Sequence, residues 1–304
     1  MAGGWRRTAA GLALALWAGA AAAQVEIRRL PDGAPIDGVA GLVELARAHD
    51  LVVLGELHDN PAHHAFQAEL AAALSPPGIA LEMLPRAAEA AAVRLREAEA
   101  GGAEAPAALR EEARAEDWAA WAGVLDAAPE AVAIGAGVAR EDLRRAMAEG
   151  AAAAFGPEAA RFGLDAPLPE GQRLAQEAEI FEAHCGALPR EMIPGMAEAQ
   201  RLRDAAFAEA LLRAHAAGPG PALLVTGNGH ARRDRGVPLH LAAAEPELRV
   251  LAVLTVERLP GDGDWRDALA RWVPEGEAPP FDVLVVTPPH DRGDPCDAFR
   301  PKGG

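Results

Sequence analysis

Six short aliphatic runs recur along the chain, at 51–55, 79–82, 131–135, 222–226, 249–256 and 282–287, most of them closing on Gly, Glu or Thr. Their apolar character is continuous rather than alternating, which predicts strands covered on both faces, as in a parallel sheet. Between them lie Ala-, Leu-, Glu- and Arg-rich stretches with helical spacing, at 85–100, 105–127, 140–150, 170–184, 191–217 and 234–244. A further helix starts within "DNPAHHAFQAELAAAL", with Asp59 or Asn60 as N-cap and Pro61 in the first turn. The strand–helix alternation breaks between about 137 and 217, where helix follows helix. The pattern predicts an α/β fold: a mostly parallel central sheet flanked by helices, with an inserted all-helical subdomain.

Residues 1–23 stand apart. Arg6 and Arg7 precede an apolar stretch and the small residues Ala21, Ala22 and Ala23, the layout of a secretory signal peptide cleaved before Gln24. The expectation is an exported, soluble, periplasmic protein with a single domain over 24–304 and no stable membrane insertion. No cysteine adjoins the cleavage point, so a lipid anchor there is not expected. Without Arg6 and Arg7 the 29 basic residues become 27 against 45 acidic ones, and the net charge moves from −16 to −18. Such a surface repels nucleic acid and anionic lipid, so neither is expected as a partner. The two cysteines, Cys185 and Cys296, form an even pair in an exported chain and are expected to make a disulfide.

The candidate chemistry gathers where strands end. "LVVLGELH" closes on Gly55-Glu56-Leu57-His58, and "ALLVTGNGH" on Gly227-Asn228-Gly229-His230. Each histidine therefore falls just past the carboxyl end of a strand, the edge where open α/β sheets bind ligands. "GIALEM" delivers Glu82 to the same edge. A lone histidine at a loop start is more often a hydrogen-bonded structural residue; the repetition in one context points to a site. His63 and His64 occupy the first turn of the following helix and point about 100° apart, so one at most faces the cleft. His64 is taken as the site member and His63 as a bystander. Gln200, Arg203 and Asp204 share about one turn of a later helix, where an arginine can clamp a carboxylate.

G-E-x-H-D-N-P-x-H-H-x-x-Q, "ALEM", "HCGALP", "Q-R-x-R-D", "TGNGHARRDRGVP" and a terminal "DPC" occur in this order from about Leu51 to Cys296. Together they resemble the ChaN family, haem-binding and iron-regulated proteins of the Tiki superfamily. The resemblance implies an EreA/ChaN-like α/β fold, haem as cofactor, a role in haem or iron uptake, and a site that two subunits of a homodimer can share. It places Glu56, His58, His64, Glu82 and His230 in the cleft. Haem needs an iron ligand, an apolar slot and cations for its propionates. The chain has no tyrosine, so the axial ligand falls to His58, His64 or His230. Met83, Met192 and Met196 are candidates for the slot, and Arg203, Arg232 and Arg233 for the propionates. Other Tiki branches supply an enzymatic alternative, a metal-dependent hydrolase. In it His58, His230 and a carboxylate hold a divalent metal ion, and Glu56 or Glu82 acts as general base. A third reading keeps the fold with a vestigial site. Neither G-x-S-x-G nor H-E-x-x-H is present.

Overall fold

The computed structural model describes residues 25–100, 102, 104–274 and 276–299; the expected signal peptide lies outside them. The aliphatic runs form the strands of a single sheet. In chain order these are β1 (Glu26–Arg29), β2 (Pro35–Ile36), β3 (Leu51–Glu56), β4 (Gly78–Pro85), β5 (Val132–Gly137), β6 (Ala222–Gly227), β7 (Val250–Glu257) and β8 (Val283–Thr287). Their spatial order is β2-β1-β8-β7-β3-β6-β4-β5. The six strands from β8 to β5 run parallel, while β1 is antiparallel to both β8 and β2. β3 thus sits between β7 and β6, with Leu51 opposite both Ala222 and Val250.

Helices cover both faces. α1 (Gly38–Ala46), α2 (Pro61–Leu74), α3 (Glu89–Ala100), α4 (Ala107–Glu112), α5 (Ala115–Trp118) and α6 (Ala122–Asp126) belong to one layer. There Leu42, Phe66, Leu95, Trp118 and Val124 pack on Val52, Leu54, Ile79, Leu81 and Val225. α7 (Arg140–Glu149), α8 (Ala151–Phe155), α9 (Glu170–Ala183), α10 (Ile193–His215), α11 (Val237–Ala244) and α12 (Trp265–Ala270) follow. In the opposite layer Phe207 and Leu241 pack on Leu51, Val53, Ala80 and Leu224. Alternate residues of β3 are therefore buried against different layers, which is why its hydrophobic run is unbroken.

The chain between β5 and β6 contains helices and turns but no strand. Its longest helix, α10, lies against β4, β5 and β6, whereas α7, α8 and α9 pack on α10. Among the described residues no helix is long and apolar enough to cross a membrane.

The single helix expected over 105–127 is a broken series. Arg114 takes a left-handed conformation (φ 50°) between α4 and α5, and a 3₁₀ turn, Ala119–Trp121, separates α5 from α6. Trp118 and Trp121 are both buried, and their packing overrides the helical propensity of the Ala-rich sequence between them. β1, β2, α1 and α12 are elements that the aliphatic runs did not announce.

Cys185 and Cys296 form the expected disulfide, with Cα atoms 5.7 Å apart across 111 residues of sequence. Closing a loop of that length stabilises the fold by about 4–5 kcal/mol in the chain-entropy account. The bridge ties the carboxy-terminal segment to the turn after α9. Upstream, Arg292 bonds Asp59 (2.6 Å) and Glu257 (2.9 Å), and Asn60 donates to Glu257 (2.6 Å) and the Pro288 carbonyl (3.1 Å). The segment is thereby strapped over the start of α2.

Candidate functional site

Glu56 ends β3 opposite Gly227, the last residue of β6, and is 2 % exposed. Its carboxylate accepts from Gln67 Nε2 (2.5 Å), His58 Nδ1 (2.7 Å) and Trp121 Nε1 (2.9 and 3.1 Å to its two oxygens). A buried carboxylate needs such a set of donors. With its oxygens so occupied, Glu56 is a positioning group: it fixes the His58 ring and leaves Nε2 turned toward Glu82. His58 retains 41 % side-chain exposure. Burial works against a charge on His58; the Glu56 hydrogen bond and the Glu82 and Glu56 charges outweigh it and raise its pKa above the ordinary histidine value.

Glu82, on β4, lies between the two motif histidines. Its carboxylate oxygens are 3.8 Å from His58 Nε2 and 3.8 Å from His230 Nε2. It accepts from Thr226 Oγ1 (2.7 Å) and Gly227 N (2.8 Å), both at the end of β6. Burial pushes its pKa up, but His230, His58 and these two donors hold it below the usual carboxylate range. His230 occupies a 3₁₀ turn, Asn228–Ala231, and is 6 % exposed. Its Nδ1 bonds Asp204 of α10 at 2.6 Å, and its ring meets Phe207 edge-on at 4.9 Å. Burial disfavours the imidazolium, yet the flanking Asp204 and Glu82 carboxylates raise its pKa.

The glycines of the two motifs have separate tasks. A Cβ on Gly55 would come within 2.4 Å of Asn228 Oδ1. That space lets the Asn228 amide pair with the Thr255 backbone, accepting from its N–H (3.1 Å) and donating to its carbonyl (2.7 Å). Asn228 thus continues the ladder where β3 parts from β7 after the Leu54–Val253 pairing. A Cβ on Gly227 would sit 3.2 Å from His58 Nε2, so this glycine makes room for the His58 ring.

Not every expected residue reaches the cleft. His64 joins the cluster on the Glu56 side, away from Glu82: its Nε2 is 3.6 Å from Glu56 and its ring is tilted against Trp121 at 4.8 Å. His63 is fully buried, and its Nδ1 accepts from Leu57 N at 2.9 Å. It is a pin for the loop that carries His58, and desolvation drops its pKa to about 4. Arg203 lines the large cavity described below. Arg232 and Arg233 do not, because the chain leaves the cleft after His230. Arg232 is engaged by both Asp234 oxygens (3.0 and 2.9 Å), and Arg233 pairs with Asp282 ahead of β8. Met192 is exposed, and Met196 faces a different, smaller cavity. Trp121, Thr226 and Phe207 were not identified from sequence; only Trp121, paired with Trp118 in an Ala-rich stretch, offered a signal.

Glu82 is also where the charged cluster meets a cavity of about 1170 Å³. Met83, Leu202, Phe155 and Phe207 supply apolar wall, and Arg86, Arg114, Arg140, Arg161 and Arg203 line it as well. Arg86, Arg114 and Arg161 pair with Glu209, Asp117 and Glu245. Arg140 and Arg203 are in no ion pair with a described carboxylate, and Arg203 donates to the Gln200 side-chain carbonyl. Among the described residues no three His, Cys, Asp or Glu side chains gather in a metal-holding group.

The fold is similar to the solved structure of ChaN from Campylobacter jejuni, described by its cofacial haem binding. The TM-score is 0.60 at 16 % identity, covering 86 % of this chain and 96 % of that one. A second likeness, to the type III effector HopBA1, has a TM-score of 0.45 at 16 % identity over 89 % and 100 % of the two chains. No curated protein matches the chain. The sequence profile of the family described as haem-binding uptake, Tiki superfamily, ChaN, matches residues 42–241. That match takes in β3, β4, β6 and every residue of the Glu56–His58–Glu82–His230 cluster, and on it the chain belongs to the ChaN family of the Tiki superfamily.

Proposed function

We propose that this protein binds haem at the carboxyl edge of its sheet, as an exported carrier in haem or iron uptake. The observation that carries the reading is the Glu56–His58 pair. A carboxylate on Nδ1 fixes the ring and raises the basicity of Nε2, the arrangement that favours an imidazole as metal ligand. His58 is the exposed member of the cluster and would hold the iron, and the chain has no tyrosine to compete with it as a ligand. Haem supplies the redox-active iron when bound. The protein's part is to present the imidazole, cover the macrocycle with Met83, Phe155 and Leu202, and meet the propionates with Arg203 and Arg140. His230 and Asp204 hold Glu82 in place from the buried side. Two copies closing around the haem would extend to this chain the cofacial binding described for the Campylobacter protein. The leader-like first 23 residues and the disulfide support export.

No feature of the geometry favours the metal-dependent hydrolase over this reading. Haemin titration followed at the Soret band provides the test. Wild type is expected to saturate, His58→Ala to weaken binding at least tenfold, and His64→Ala to leave it nearly unchanged. A titration without saturation, or one indifferent to His58→Ala, overturns the assignment.

A further inference from the structure

A second cavity, of about 340 Å³, opens between α7, α9 and α10. It falls at the small end of the range for small-molecule sites. Leu143, Met147, Ile180 and Met196 provide its apolar wall. Ile180 packs on Ile193 and Ala197 to hold α9 in place, and the Cys185–Cys296 bridge fixes the turn that follows it. The charges along the lining are not equally free. Glu179 pairs with Arg235, and Asp204 with His230. Arg203 is left over. Its Nη1 donates to the Gln200 side-chain carbonyl, it meets no described carboxylate, and its other N–H groups stay accessible without a protein acceptor. His184 also lines the space; its Nδ1 is 2.7 Å from the Ile180 carbonyl and its ring lies edge-on to Phe299 at 5.9 Å. A proton on that ring adds to the positive charge of Arg203 rather than opposing it.

We propose that this cavity is a second binding site, for a small monocarboxylate with an apolar tail. A guanidinium whose one partner is a neutral amide has donors to spare, and a carboxylate accepts two of them in parallel. The tail packs on the two methionines, whose flexible thioethers adapt to varied shapes. Glu179 and Asp204, though paired, disfavour a dianion such as a phosphate ester, so a single negative charge fits. Arg203 lines both cavities, and an occupant here therefore draws on a cation of the larger site. The smaller site takes its ligand without haem, and the test contains none.

Full-length protein is titrated with hexanoate and its neutral isostere hexanamide by calorimetry and saturation-transfer NMR. One site per chain is expected, with hexanoate at least tenfold tighter than hexanamide. Arg203→Gln should remove that preference while hexanamide still binds, which also shows that the cavity of the variant is intact. Ala183→Phe, at the exposed rim, should block both probes without lowering the melting temperature. Equal affinity of wild type for the two probes overturns the proposal, as does a hexanoate preference that survives Arg203→Gln. Hexanoate binding that survives Ala183→Phe places the ligand outside this cavity and overturns it too. Absence of saturable hexanoate binding likewise overturns it and leaves the cavity to ordered water.

Discussion

The two strand ends carry the same G-x-x-H spacing, yet their histidines live in different surroundings. Each has a carboxylate on Nδ1 and the shared Glu82 at 3.8 Å from Nε2. His58 stands on a loop with 41 % of its side chain exposed; His230 is enclosed by α10, 7 % exposed, against Phe207. What separates them is the layer behind each strand end. β3 opens onto a loop pinned from beneath by His63, whereas β6 runs into a tight turn roofed by the longest helix. One motif thus yields a ring that is open to solvent and another that is enclosed against the carboxylate between them.

Removing each ring in turn should break this symmetry most strongly. His230→Ala leaves Asp204 buried without its partner, and chemical denaturation should show a loss of about 3–4 kcal/mol. His58→Ala leaves Glu56 its Gln67 and Trp121 donors and should cost less than about 1 kcal/mol while weakening haemin binding at least tenfold in the Soret titration. Comparable losses in the two variants would contradict the contrast.

A second contrast lies in pH. Below about 6.5 the unfolded chain protonates His63, but the folded chain does not until about pH 4. Nδ1 is already occupied as an acceptor, and burial penalises the charge. Stability should therefore fall as pH drops through this window, by about 3 kcal/mol from this residue. His63→Asn, which keeps an acceptor for Leu57 N–H, should flatten that slope. His230, whose pKa is raised, acts in the opposite sense: its contribution is complete below the unfolded value near 6.5 and is lost as pH rises through the higher folded value. Denaturation midpoints measured across the pH range read both signs.

The glycines give the smallest and sharpest test. Gly55→Ala drives a methyl into Asn228 and the Val253 carbonyl, and should cost about 2–3 kcal/mol in thermal unfolding. Gly227 has φ −61°, so alanine there strains no backbone. Gly227→Ala should cost about 0.5 kcal/mol but push the His58 ring and weaken haemin binding severalfold.

The strands and their carboxyl edge were legible because continuous burial writes itself as aliphatic runs, and because a strand end crowded by Asn228 or His58 has to shed side-chain bulk at glycine. The Asn60 cap and Pro61 were legible for a similar reason, since helix starts depend on local chemistry. Partners set by tertiary packing were not. Nothing near Glu56 in sequence points to Trp121, 65 residues away, and nothing near His230 shows that Asp204, already conspicuous on its helix, would be its partner. Adjacency also misled: Arg232 and Arg233 follow His230 directly, but the backbone turns away before their side chains reach the cleft.

The placement of β3 has a consequence for the order of assembly. It is the first of the parallel strands to be synthesised, yet its two neighbours are β6 and β7, and Leu51 finds its partners only at Ala222 and Val250. Pairing across such separations is slow, because loop-closure entropy must be met before the contacts form. Glu56 and His58 leave the ribosome early and wait for most of the chain before Gly227, Thr226 and His230 arrive to complete the cluster. A chain that ends before β6 lacks Thr226, Gly227 and His230, so the cluster is itself a report that synthesis has passed that strand.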